Sequence, residues 1–227
     1  MSGSPADRRL VVVAPPGAAP GRWDAVVGTV AAITDAQPVP GTWPAGGSPD
    51  GAPGRGPAAG PDVGLPGGRD ETFLRRILEQ AVGTPLLVLP GPEPSRSHEP
   101  AAVRRMLVPM DRSLSERRVL RPLIERARAL GIGVHQLHVL GPTSRPAMWE
   151  GPGHHADAWL AELRRRHQPE GTALTVVGGN PVEQVLSAGR DTDLVVICWH
   201  GDAAASRAHV VRGIVERIGR PLLLVPV

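Results

Sequence analysis

The residues best suited to chemistry lie close to the end of the chain. An apolar run, Leu194-Val195-Val196-Ile197-Cys198, is followed by a loop of mainly small residues from Trp199 to Ala205. Behind it comes a helical pattern with Val210, Val211, Ile214, Val215 and Ile218 on one side. A loop of this kind lets backbone N–H groups approach an anion, and the start of the helix favours negative charge. Arg207 and Arg212 would add cationic donors for a phosphate. Cys198 has two readings, a thiol activated beside a helix N-terminus or a small buried hydrophobe at a strand end. His200 either reaches a phosphate from the loop or faces solvent. Asp111, after the run Met106-Leu107-Val108-Pro109-Met110, either meets a ligand at a strand end or is a carboxylate favoured by the dipole of the next helix.

Other polar groups make weaker cases. His154 and His155 are adjacent and diverge on a helix, and His135 and His138 are spaced as on a strand, so no metal is expected. Ser113, Ser115 and Ser206 have no base that the sequence pairs with them, which leaves no case for nucleophilic catalysis. Arg164-Arg165-Arg166-His167 reads as a charged helix C-terminus. The chain has no lysine, so a Gly-Lys-Ser/Thr phosphate loop is absent.

The elements that must position these residues follow from the apolar pattern. Leu194 to Cys198 and Leu222 to Val225 are short continuous runs, as in strands buried on both faces. Strand, loop, helix and strand make a βαβ unit of a parallel sheet, in which ligands meet the carboxyl ends of strands. Upstream, Met106–Met110, Val134–Leu140 and Ala173–Val177 read as strands. They alternate with helices marked by Val119, Leu120, Leu123, Ile124, Ala127 and Leu130, and by Ala156, Trp159, Leu160 and Leu163. Ser113 and Glu116 have capping-box spacing, Pro122 is expected to kink the first of these helices, and Asn180, Pro181 and Glu183 form a helix start with cap, proline and box-closing acid. This alternation argues for a doubly wound α/β fold.

The first part of the chain is less regular. Leu10 to Val13 reads as a strand. Trp23 to Asp35 has helical spacing, while Asp24 to Val27 alone would also suit a strand. Gln37 to Gly68 is nearly all Gly, Pro, Ala, Ser and Asp and reads as a flexible loop. Asp70 is placed to cap a helix with Phe73, Leu74, Ile77, Leu78 and Ala81 on one face, before a strand at Leu86–Leu89 and a linker at Gly91–Pro100. The segment Ile77 to Pro90 resembles Ile214 to Pro226 with one residue of slippage, an internal helix-strand repeat.

Composition bounds the function. The 227 residues include 28 Gly, 26 Pro and one Cys, with a formal net charge of +3. That charge and the single Phe with no Tyr argue against a nucleic-acid partner. One cysteine excludes an intrachain disulfide framework and suits a cytoplasmic setting. No stretch has the length of a membrane span, so no membrane role is expected.

The motifs together resemble the universal stress protein family. Met106-Leu107-Val108-Pro109-Met110-Asp111-Arg112-Ser113 is similar to its opening strand, and Gly178-Gly179-Asn180-Pro181-Val182-Glu183 to its Gly-Asp-Pro helix start. Asp193 to Ile197 and Arg220 to Pro226 resemble its fourth and closing strands. The resemblance covers about residues 104 to 227. It implies a five-stranded parallel sheet of order 3-2-1-4-5 over residues 101–227, with residues 1–100 a smaller, degenerate α/β half. It further implies a non-enzymatic regulatory or adaptor role and an ATP or other adenine-nucleotide pocket at the switch point. By that resemblance the pocket is lined by Pro109, Met110, Asp111, Leu140, Cys198, Gly201, Arg207, Arg212 and Gly213. The family's Gly-x-x-Gly pattern is altered here: Cys198 stands at the first glycine and Gly201 at the second. Arg212-Gly213 aligns with its final Gly-Ser or Gly-Thr, so the pocket is expected to be degraded or modified, and a nucleotide-free scaffold is the alternative. The family's dimerisation through closing strands implies an intrachain pseudo-dimer or a homodimer through 86–89 and 222–225. The protein partner is not identified by the sequence.

Overall fold

A computed structural model of the chain describes residues 8–14, 21–41, 77–79, 81–90, 102–110, 114–140, 153–167, 172–201 and 208–227. Its strands are β1 (Arg9–Val13), β2 (Gln37–Pro40), β3 (Leu86–Val88), β4 (Arg105–Pro109), β5 (Gly133–Leu140), β6 (Ala173–Gly178), β7 (Leu194–Trp199) and β8 (Leu222–Pro226). The helices are α1 (Asp24–Thr34), α2 (Leu114–Ala129), α3 (Gly153–His167), α4 (Pro181–Gly189) and α5 (Ala208–Arg217), with a further helical turn at residues 77–79. All eight strands form one sheet in the order β2-β1-β3-β8-β7-β4-β5-β6.

The five strands from β4 onward keep the expected 3-2-1-4-5 order, with β4 between β5 and β7. They are parallel throughout. The count differs from five because β8 is not an edge. It pairs antiparallel with β3, at Leu86↔Leu224, Leu87↔Leu223 and Val88↔Leu222, and β1 and β2 extend the same sheet in parallel. The expected contact between the two Leu-rich strands is therefore present within one chain. All three residues of β3 and the first four of β8 are buried, so this junction is apolar on both faces.

Burial on both faces follows from two helical layers. One apolar layer joins Leu86, Val88, Leu222, Leu224, Ile197 and Trp199 to Val182 and Val185 of α4 and to Val211, Ile214 and Val215 of α5; Ile77, Leu78 and Ala81 belong to it too. The other joins Leu87, Leu223, Val196 and Cys198 to Val26, Val30 and Ile33 of α1 and to Leu120, Leu123, Ile124 and Ala127 of α2. Alternate residues of each strand thus serve opposite layers, as the period of two requires.

Two sequence expectations are corrected. Gln37–Pro40 is an edge strand rather than the beginning of a loop. Backbone hydrogen bonds Gln37 N→Arg8 O (2.9 Å) and Gly41 N→Val12 O (2.7 Å) show that its odd-numbered residues face β1. The outward positions are Pro38 and Pro40, which carry no N–H, and prolines are tolerated only on such an edge. Gly41 must be glycine, since a Cβ would stand 2.7 Å from Val11 and Val13 methyls. Of the two readings open at Asp24, the helix is the one found, and it buries Val26, Val30 and Ile33 on one face. At α4, Asn180 caps as expected, its Oδ1 accepting from Val182 N (2.9 Å) and Glu183 N (3.4 Å). Glu183 does not close the box. Its carboxylate instead accepts from Arg217 of α5 at 2.6 Å, which also holds its pKa below the usual range.

α2 runs through Pro122 as one helix. The expected helix start at Asp70, residues 42–68 of the expected loop, the linker 91–100 and the side chains of Ser113 and Glu116 lie outside the described residues.

Candidate functional site

The parallel strands β4 and β7 are neighbours, paired at Met106↔Leu194 and Leu107↔Val195. Continuing that register sets Met110 level with Cys198. From β4 the chain crosses to β5 on one side, whereas β7 and β8 lie on the other, so the winding reverses between β4 and β7. Such a reversal leaves a crevice at the carboxyl ends of the strands.

The β4 side of the crevice is fixed by hydrogen bonds from β5. Met110 N donates to Leu137 O (2.9 Å), and His138 Nδ1 bonds Met110 O at 2.9 Å. Because that acceptor is a carbonyl, Nδ1 carries the proton. His138 is 5% exposed, and its ring lies 6.4 Å from that of Trp159 on α3. Pro109 and Met110 are half-buried at the strand end. Leu140 closes β5 fully buried, and its carbonyl accepts from Gly179 N (3.1 Å) just before the α4 cap. At the other end of β5, His135 Nε2 meets Thr175 Oγ1 at 2.8 Å, and partial burial lowers its pKa.

The β7 side differs from the sequence reading. The strand runs on through Trp199, whose side chain is 3% exposed. Cys198, expected to border the ligand, turns into the apolar layer under α1 and α2. It is buried, so of its two readings the small hydrophobe fits this position. Trp199 turns to the opposite layer, and its indole Nε1 donates to Leu78 O at 3.0 Å. Gly201 follows at φ +76°, in the left-handed region that favours glycine.

α5 is described from Ala208, so Arg212 and Gly213 lie inside the helix and not at its start. Gly213 faces α4: a Cβ there would stand 3.1 Å and 3.2 Å from the two Val182 methyls. It is a helix-packing glycine in this position. The Nε of Arg212 is buried with no hydrogen-bond partner among the described residues. Long helical side chains lean toward the helix N-terminus, which is the end nearer the crevice. Asp111 and Arg207 lie outside the described residues. Pro109 and Met110 thus stand at the end of β4, Leu140 at the end of β5 and Gly201 just past the end of β7, while Cys198 and Gly213 pack against apolar neighbours.

His138, Trp199 and Leu78 escaped the sequence reading. The first was weighed only as a metal ligand, and the Trp199–Leu78 contact spans 121 residues, beyond any local pattern. Among the described residues, no group of three or more His, Cys, Asp or Glu side chains stands ready for a metal, and no helix is long and apolar enough to cross a membrane. A separate groove of about 590 Å³ runs along α4 and α5, lined by Glu183, Arg190, Arg217 and Arg220 among others. It borders the turn before β8, not the strand ends. Its arginines serve the helix ends: Arg217 pairs with Glu183, and Arg220 donates to the Arg190 carbonyl.

Comparison with known proteins agrees with this architecture. The model of the universal stress protein family matches residues 102–226. No curated protein matches the chain. Among solved structures, a universal stress protein from Archaeoglobus fulgidus DSM 4304 is 16% identical with a TM-score of 0.44, the match covering 63% of this chain and 50% of that one. The universal stress protein UspA from Lactobacillus plantarum is 16% identical, TM-score 0.40, over 55% of this chain and 99% of its own. The universal stress protein from Archaeoglobus fulgidus described in complex with dAMP is 20% identical, TM-score 0.37, over 53% and 95%. The chain thus spans half the length of the first of these and nearly all of the other two. The family match covers more than half of the sequence, including every strand that borders the crevice, and this chain belongs to the universal stress protein family.

Proposed function

We infer that this protein is a non-enzymatic, cytoplasmic member of its family that binds an adenine nucleotide, ATP included, in the crevice between β4 and β7 and changes its protein contacts with occupancy. The observation that carries this reading is the reversal of winding at β4, with Gly201 in a left-handed conformation on the route into α5. A glycine there leaves the backbone N–H groups open to a phosphate, and the N-terminus of α5 adds favourable charge. Arg212 supplies the cation. Asp111 follows Met110, whose backbone His138 holds in place, and has the role of a ribose or adenine acceptor. The site is a modified one: Cys198 fills the family's first glycine position with a side chain committed to the core, and Arg212-Gly213, aligned with the family's final Gly-Ser or Gly-Thr, offers no hydroxyl.

The test is the nucleotide content of protein purified gently from its source cells, followed by titration with AMP, ADP and ATP. Copurified or millimolar-to-micromolar binding of any of the three is the expected result. Protein that is free of nucleotide and binds none at millimolar concentration would overturn it.

A second reading has its own support. In the helix-strand repeat, Leu87 and Leu223 occupy equivalent places, and they are the central pair of the antiparallel β3–β8 junction. Equivalent residues meeting at the centre of an antiparallel pair is the arrangement of a local two-fold axis. The N-terminal half also places its β1 and β2 beyond β3 as β7, β4 and β5 lie beyond β8, with fewer strands. This supports a shortened repeat acting as an internal partner, a pseudo-dimeric scaffold that works with or without a nucleotide.

A further inference from the structure

The loop that leaves β7 is touched by a segment from the other half of the chain. The helical turn at residues 77–79 ends through Ala81, Val82 and Gly83, the last at φ +75°, and leads into β3. Two contacts from this segment reach the base of the loop. The buried Trp199 indole donates to Leu78 O at 3.0 Å. Two residues on, the Val82 methyls lie 3.7 Å and 3.8 Å from where a Cβ of Gly201 would stand. Ile77, Leu78 and Ala81 are at most 2% exposed and belong to the same apolar layer as Ala208, Val211 and Ile214 of α5. Val82 alone of this segment's apolar residues is largely exposed, at 57%. A large hydrophobe left open beside the glycine of an anion loop is placed as a wall of the ligand site more than as core.

We propose that Leu78, Ala81 and Val82 form a strap, supplied within the chain, that holds Trp199 and Gly201 at the exit from β7 in place for ligand binding. Trp199 is the positioning residue that anchors the loop's base, and Val82 is the wall that bounds the ligand beside Gly201. The ligand part rests on the nucleotide reading above; the strap part does not. Physical coupling follows from the contacts. A ligand that needs Gly201 in place binds more tightly while the strap is seated, and by reciprocity its binding steadies the strap and the β3–β8 junction that continues from it. The N-terminal half thereby becomes a sensor of occupancy.

The test uses the full chain with Trp199→Phe, Val82→Ser and the wild type. Amide exchange is read over residues 199–210 and 77–83, with and without ATP, beside the urea midpoint of each variant. Without ATP, Trp199→Phe is expected to speed exchange in both segments together by about fivefold, the equivalent of one ordinary neutral hydrogen bond. Val82→Ser, at an exposed position, leaves the urea midpoint unchanged and still speeds exchange at residues 200–202. With ATP, both variants bind several-fold more weakly, and ATP slows exchange at 77–83 in the wild type. Unchanged exchange at 199–210 in both variants would overturn the strap. Faster exchange without any ATP binding in the wild type would sustain the strap and overturn the nucleotide reading. If Trp199→Phe fails to fold, Val82→Ser alone decides: normal loop exchange in that variant refutes the proposal.

Discussion

Gly213→Ala sets two opposed effects against each other at one position of α5. In an exposed helix, alanine in place of glycine gains about 0.8–1.0 kcal/mol. Here the new methyl would stand 3.1 Å and 3.2 Å from the Val182 methyls, where apolar carbons settle near about 3.5–4.0 Å. Val182 cannot easily turn away. A β-branched side chain in a helix holds essentially one rotamer, and its backbone N–H is tied to the Asn180 cap at 2.9 Å. The helices must part, or Val182 must leave its rotamer, at about 1–3 kcal/mol for overpacking. The net expectation is a loss of about 1 kcal/mol from the difference between these two effects. Val182→Ala alone removes two buried carbons and costs about 1.5 kcal/mol at about 0.8 kcal/mol each. The double variant gives the new methyl its room, so the pair should be less destabilising than the sum by about 1–3 kcal/mol. Urea denaturation followed by circular dichroism, on the two single variants and the double, measures the cycle. Strict additivity, or a Gly213→Ala variant stabilised by the full helical preference, would show that α4 and α5 do not meet at this pair. ATP affinity is expected to be the same in all four proteins, since Gly213 packs helices and does not line the crevice.

Three further outcomes follow from the same structure. Asn180→Ala removes the acceptor for two backbone N–H groups at the start of α4 and should lower stability by about 1 kcal/mol in urea titration, with Asn180→Asp close to wild type; an unchanged midpoint would mean the cap is idle. His135 has its pKa lowered by burial, so between that depressed value and the ordinary 6.5 the unfolded chain binds a proton that the folded chain does not. Stability should therefore fall as pH drops below about 6.5, and His135→Gln should flatten that part of the pH profile; an equally steep profile in the variant would assign the effect to other groups. A fragment of residues 101–227 exposes the β8 edge that β3 covers, and it should sediment as a dimer while the full chain does not pair through β8; a monomeric fragment would remove the proposed role of the repeat.

The parallel core was legible because its strands are continuous apolar runs and its helices have wide apolar faces. Residues buried on both sides of a sheet lose the alternation that tells one face from the other. That is why Cys198 stayed ambiguous until β7 was seen to turn it toward α1 and α2 and to turn Trp199 the other way. β2 was invisible for a related reason. Gln37-Pro38-Val39-Pro40 has no apolar run and two prolines, and it is a strand only because β1 offers it carbonyls at Arg8 and Val12. The position of Gly213 was misjudged because glycine spacing alone does not reveal where a helix begins. The contacts of Leu78 and Val82 with the β7 loop join residues more than a hundred positions apart, and their local sequence shows only an amphipathic turn.

Nucleotide binding in the β4–β7 crevice is tested by titrating ATP into the full chain and into its Gly201→Val variant by isothermal titration calorimetry. Gly201 sits at φ +76°, where a β-branched residue is strained by about 1–2 kcal/mol or more, and its added methyls would meet Val82. One site is expected in the wild type and its loss in Gly201→Val, with the circular dichroism spectrum retained. Equal ATP affinity in the two proteins would place the ligand away from the β4–β7 crevice.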